Sequence, residues 1–258
     1  MGKSILLVSV GLTTGLTTVC SFGVGIPGNA ITISSSARVA NSPTTAGDGL
    51  KGEFWDVTGS IANLSVATSA IAGRSADATF TSTAVDYPNG SSNVVFDSSS
   101  LANLLGQDGN SLSGVTPVSL TGSVFRFSGF INILSSFDSD PGTDTIDVDF
   151  TVGSDDGFQL NIGGSTVSEF TGLRPFSTTS GIASFAESGL YALELIYFEN
   201  QSFTGVEFSS RFSNGIVTTG VLYTSISDPV TAVPEPITLL GSLSALGIGA
   251  LFKQRLQE

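Results

Sequence analysis

The sequence predicts an all-β protein, an antiparallel sandwich or barrel, with an N-terminal signal helix and a C-terminal hydrophobic helix outside it. Three observations lead there. After residue 120, apolar and polar residues alternate with period two in run after run, the pattern of half-buried strands. Gly, Ser, Thr, Asn and Asp clusters separate these runs at intervals of about a dozen residues, as turns do in antiparallel sheets. No long helical periodicity occurs away from the two ends.

The elements follow in chain order. Residues 31–48 are rich in Ser, Thr and small side chains and read as a linker or a loose first strand. Leu50, Lys51, Gly52, Glu53, Phe54 and Trp55 form the first aromatic-dense segment and open a domain over 49–215. Residues 57–117 read as irregular surface structure with one or two short elements, including a helical turn at Leu101–Leu105. Phe125, Phe127, Gly129, Ile131 and Ile133 then alternate with Arg126, Ser128 and Asn132. Ile146, Val148, Phe150 and Val152 alternate with Asp147, Asp149 and Thr151, giving one apolar and one acidic face. Phe158, Leu160 and Ile162 continue to Gly163 and Gly164. The runs Tyr191–Phe198 and Val206–Phe212 close the domain, and 216–232 reads as a second linker.

The two ends carry addresses. Lys3 supplies a positive start, Ile5 to Leu16 an apolar stretch, and Gly28, Asn29 and Ala30 a small-x-small site, so 1–30 reads as a signal peptide for signal peptidase. Cleavage there removes Cys20, the single cysteine, and with it any disulfide or thiol chemistry. Leu16, Thr17, Thr18 and Val19 lack the small residue that a lipid-attachment site wants before its cysteine. At the other end Pro234, Glu235 and Pro236 precede an apolar stretch from Ile237 to Phe252, and Lys253 and Arg255 follow it. As a helix at about 1.5 Å per residue, that stretch is slightly short of a bilayer core of about 30 Å. The basic pair belongs on the cytoplasmic side. Residues 233–258 therefore resemble the PEP-CTERM sorting signal. The resemblance implies transient membrane insertion, removal of the tail by an exosortase-type protease, and delivery to the envelope surface or extracellular matrix.

Composition narrows the function. The net charge of −13 makes nucleic acid and anionic lipid surfaces poor partners, because phosphate binding needs clustered Lys and Arg, whereas divalent cations suit it. Histidine is absent, which excludes a Ser-His-Asp triad and imidazole-based zinc sites. A carboxylate glycosidase needs two acids roughly 5–9.5 Å apart across a cleft, and nothing in the sequence marks such a pair. The chain reads as a non-enzyme.

The segment with chemistry is Val152 to Gly157, where Asp155 and Asp156 adjoin in what reads as a turn between two strands, with Gly157 adding backbone freedom. Neighbouring side chains of a regular strand point to opposite faces, so converging the two acids needs an unusual backbone and a cation to offset their repulsion. Two readings fit: a solvated acidic hairpin turn, or a calcium site, since calcium takes six to eight oxygens. A second cluster, Asp138, Asp140 and Asp144, has the alternation of a calcium loop, but Pro141 interrupts it and no EF-hand glutamate follows, so a solvated turn is the plainer reading.

From Gly49–Trp55, through Ser154–Gly157, to Gly189–Glu199 and Val206–Phe208, the chain resembles the PA14 domain, a β-sandwich of secreted toxins, glycosidases and adhesins. In lectin members of that family an adjacent Asp pair, joined by a cis peptide, binds calcium, which in turn binds sugar hydroxyls. The resemblance places those roles on Asp155 and Asp156, with Asn200 and Gln201 as loop candidates for completing the shell. Gly163 and Gly164 stand where many relatives carry an Asp. The implied function is calcium-assisted binding of an extracellular polysaccharide or glycan in the matrix or biofilm. The rival is a structural matrix or adhesion protein of the same fold without a small ligand.

Overall fold

In the computed structural model the described residues are 30–226, except 58, 89–91, 116, 118, 212–214 and 218–219. The expected signal helix, the 233–258 tail and the Phe212 end of the last run lie outside them. Among the described residues no helix is long and apolar enough to cross a membrane.

The alternating runs become two packed sheets, a sandwich and not a closed barrel. The smaller sheet runs Ile31–Ile33, Ser177–Phe185, Ile146–Asp155, Phe203–Ser210 and Gly215–Ile216, with Asp86–Tyr87 and Val95–Phe96 also pairing on Phe203–Ser210. The larger runs Ser165–Phe170, Gly157–Ile162, Gly189–Glu199, Ser123–Ile133, Leu50–Asp56, Ala78–Ser82 and Ser113–Gly114. Pairing is antiparallel throughout, apart from Ile31–Ile33 on Ser177–Phe185. Phe125, Phe127, Leu195 and Tyr197 face inward from one sheet; Phe150, Val152, Val206 and Phe208 face inward from the other. These eight are fully buried in one core cluster. Period two put them there, since every second side chain of a strand meets the facing layer.

Three expectations need correcting. The linker reading of 31–48 and 216–232 gives way, since both are woven into the sheets, and for 31–48 the alternative of a first strand holds. In 31–48, Ile31–Ile33 and Arg38–Ala40 add strands, and Ile33 and Ala40 are buried; in 216–232, Leu222–Tyr223 pairs with Ser123–Ile133. Short strands of small residues carry too little alternation to register in a sequence pattern. Residues 57–117 are also more ordered than expected. Ala78–Ser82 is an interior strand, and Leu64–Ile71 is a helix capped by Asn63, whose side chain accepts from the Val66 N–H at 3.0 Å. That helix buries Leu64, Ala67 and Ile71 beside Trp55, Val124, Ile196 and Phe198 on the outer face of the larger sheet. The helical turn at Leu101–Leu105 is present, capped by Ser100.

The third correction positions the site. Asp155 and Asp156 do not sit in a hairpin turn. Ile146–Asp155 belongs to the smaller sheet and Gly157–Ile162 to the larger, so the chain crosses between layers at this pair. A second crossing lies against it: Gly189–Glu199 ends in the larger sheet, and Phe203–Ser210 begins in the smaller. Asp155 pairs with Gly205, and Gly157 with Phe198.

Candidate functional site

The peptide bond between Asp155 and Asp156 is cis. Both carboxylates converge with that of Glu199, and one ligand oxygen from each of the three lies within 4.8 Å of the others. All three residues are buried, Glu199 completely and the aspartates at 8% and 6% exposure.

Backbone N–H groups from two loops hold the aspartates. Asp155 accepts from the Phe176 N–H at 3.2 Å, and Asp156 from the Arg174 N–H and the Asn200 N–H, each at 3.0 Å. The Tyr197 hydroxyl, fully buried, donates to the Asp155 carbonyl and lies 3.3 Å from Glu199 Oε2; the Gly205 N–H donates to it at 3.1 Å. Glu199 Oε1 is buried and has no hydrogen-bond partner among the described residues. An unpaired buried oxygen costs its desolvation with nothing in return, so this is the atom that marks the cluster as incomplete.

The electrostatics agree. Burial, then the negative charges of Asp156 and Asp155, push the Glu199 carboxyl up to about 10. Burial and the Asp156 charge push Asp155 up to about 6, against the opposing pull of the Phe176 N–H and Arg174. Burial also raises Asp156, held back by its two N–H bonds. Packing three acids together out of water disfavours their ionised forms, and a bound cation would reverse that. The donor set is entirely carboxylate oxygen, which suits a hard divalent cation, and Glu199 Oε1 is free to serve one; the residues fit calcium.

The residues expected at the site fare differently. Asp155 and Asp156 come together. Asn200 is adjacent, but its side chain is committed elsewhere: Oδ1 accepts from the Ser60 hydroxyl at 2.8 Å and the Ile61 N–H at 3.0 Å, so Asn200 serves the cluster through its backbone. Gln201 is exposed on the crossing loop. Gly163 and Gly164 form a tight turn with φ of 58° and 80°, conformations that suit glycine. Pro234, Glu235 and Pro236 lie outside the described residues. Sequence reasoning missed Glu199, Tyr197 and Arg174. A signal for Glu199 was present: Leu195, Tyr197 and Glu199 share the inward face of a strand, so period two already placed an acid in the core.

The Asp138 cluster is a turn. Asp138 Oδ1 accepts from the N–H groups of Asp140 and Asp147 at 3.0 and 3.1 Å, while Asp140 and Asp144 are exposed.

No protein-family model matches this sequence, and no curated relative does. Among solved structures the fold is that of PA14 domains. The PA14 domain of the antifreeze protein MpAFP superposes with a TM-score of 0.59 at 22% identity, over 74% of this chain and 98% of that one. The PA14 sugar-binding domain from an RTX adhesin gives 0.57 at 23% identity, over 70% of this chain and all of that one. At these identities the likeness establishes the β-sandwich class.

Proposed function

We propose that this is an exported, non-catalytic binding protein whose PA14-like sandwich holds calcium at Asp155, Asp156 and Glu199 and uses it to bind a glycan of the cell surface or extracellular matrix. The observation that carries the reading is the convergence of three buried carboxylates with one oxygen unspent, at the corner where both crossings meet. Calcium bound there supplies a hard acceptor for vicinal sugar hydroxyls.

The chain's own residues do the rest. The Arg174, Phe176 and Asn200 N–H groups orient the aspartates, and Tyr197 fixes the Asp155 carbonyl. Beyond the loop at 200–202, Phe203 lies two residues before Gly205, the partner of Asp155, and therefore about 7 Å along the strand. Its ring meets that of Phe96 with centroids 4.7 Å apart, and both are exposed, an apolar pair suited to the C–H face of a sugar ring. The RTX adhesin neighbour is a sugar-binding domain, in keeping with this reading. Export rests on the sequence alone: the signal peptide 1–30, and Pro234, Glu235 and Pro236 ahead of the apolar tail, which would direct exosortase processing.

The test is calorimetric titration of calcium into chelator-treated protein, beside an Asp155→Asn, Asp156→Asn double variant. Saturable binding that the variant loses supports the site and justifies a glycan-array screen with and without calcium. Absent or equal binding removes the calcium mechanism and leaves a structural matrix protein as the reading.

A further inference from the structure

The segment Arg174–Phe176 forms one wall of the carboxylate cluster. It has only two backbone N–H groups, because residue 175 is proline, and both are spent on the cluster: Arg174 on Asp156 Oδ1 and Phe176 on Asp155 Oδ2. Proline also biases the residue before it towards extended backbone, which narrows the wall's conformations. Such a wall still needs an anchor, and the Arg174 side chain has the contacts of one.

Its guanidinium lies over two neighbouring rings, with Cζ 4.4 Å from the Phe170 centroid and 5.5 Å from that of Phe158. Every nitrogen of the fork is engaged. Nη1 donates to Thr179 Oγ1 at 2.8 Å, Nη2 to Ser154 Oγ at 2.9 Å, and Nε to the Ser154 carbonyl at 3.3 Å. Ser154 precedes the acid pair, and its hydroxyl also donates to the Asp156 carbonyl at 2.6 Å. The far end of the wall is fastened as well, since the Phe176 ring occupies the space that a side chain at Gly153 would fill.

We propose that Arg174 is the positioning residue of the carboxylate site: its side chain ties the wall to Ser154 and Thr179, so that the two N–H groups hold Asp155 and Asp156 convergent before any cation arrives. The inference rests on the reading of the cluster as a cation site, but its geometric half stands apart from it. Arg174 does not touch the cation in this scheme. It acts as outer-shell partners of metal ligands do, and removing such partners typically costs about 10–100-fold in affinity. The planar fork matters as much as the charge, and lysine reproduces only the charge.

The experiment compares wild type with Arg174→Lys, Arg174→Met and Thr179→Val. The last removes a single partner of the fork and guards against a misfolded arginine variant. Calcium affinity is read by calorimetry, amide hydrogen exchange at 174 and 176 in chelated protein, and urea midpoints as a control for the fold. We expect about a tenfold loss of calcium affinity in both Arg174 variants, faster exchange at these two amides before calcium is added, and a smaller loss in Thr179→Val. Unchanged exchange in the Arg174 variants overturns the proposal, as does full affinity in Arg174→Lys, which would reduce the role to charge. If wild type binds no calcium, the proposed function fails, while the exchange data still decide whether Arg174 holds the wall.

Discussion

Two acidic regions of this protein look alike in sequence and are built for opposite ends. The loop around Asp138 and Asp140 spends its carboxylates on its own backbone, Asp138 accepting from Asp140 and Asp147, and leaves Asp140 and Asp144 in water. Its charges cost little, because solvent and local N–H groups satisfy them. The cluster of Asp155, Asp156 and Glu199 places acids against one another out of water and leaves Glu199 Oε1 with no partner among the described residues. Acidity alone therefore does not define a site; convergence with an unspent oxygen does. The contrast also lies in the scaffold, since the first cluster sits in a connection over the surface and the second where two crossings between sheets pack together.

The packing side of that contrast gives the largest effect expected of a substitution. Gly205 pairs with Asp155, and a Cβ there would collide with the Asn93 carbonyl, a backbone atom that cannot turn aside. At Gly142, in the exposed loop, a Cβ would meet only Asp140 Oδ1 at 3.4 Å. Gly205→Ala should cost about 2–3 kcal/mol in urea unfolding, and Gly142→Ala within about 0.5 kcal/mol. Equal costs would mean that the corner is no more tightly determined than the loop, and the comparison would break.

The chemical side is sharpened by a crossed pair of substitutions. Glu199→Gln keeps the shape but cannot become anionic, so calcium affinity should fall about tenfold, with little change in the stability of chelated protein at neutral pH. Asp138→Ala should do the reverse, removing the acceptor of two turn hydrogen bonds for about 1 kcal/mol of stability and leaving calcium affinity untouched. Calorimetry and urea midpoints on the same samples separate the two. A calcium defect in Asp138→Ala would show that the two regions are not independent.

The sandwich was legible because period-two alternation survives in strands long enough to show it, as at Phe125 to Ile133 and Ile146 to Val152. It was only half legible in 31–48, read as a linker or a loose first strand, because the three residues of Ile31–Ile33 or Arg38–Ala40 give no pattern and the pairing partner lies far along the chain. Asp155 and Asp156 stood out as neighbours. Glu199 did not, because its membership depends on two sheet crossings meeting, a long-range fact, although its inward phase was readable. Arg174 carried no signal in the sequence; nothing local says that Phe158 and Phe170 lie beneath it.

The pH dependence of stability joins the two halves of the comparison. Asp155 titrates near 6 in the fold against an ordinary 3.8, and Glu199 near 10 against 4.5. Above the ordinary values the native state therefore holds protons that the unfolded chain has released, and stability declines as pH rises. For Asp155 that decline occupies roughly pH 4 to 6, and for Glu199 it continues towards 10. Chelated protein should accordingly lose thermal stability between pH 5 and pH 8. Calcium competes with those protons and binds only the native site, so its stabilisation should grow over the same interval. Melting curves with and without calcium should nearly coincide at pH 5 and separate by pH 8. In the Asp155→Asn, Asp156→Asn double variant the separation should vanish. A chelated protein that instead gains stability from pH 5 to 8 would mean that the three acids are ionised and satisfied within the fold, and the contrast with the exposed loop, where backbone N–H groups and solvent meet the carboxylates, would collapse.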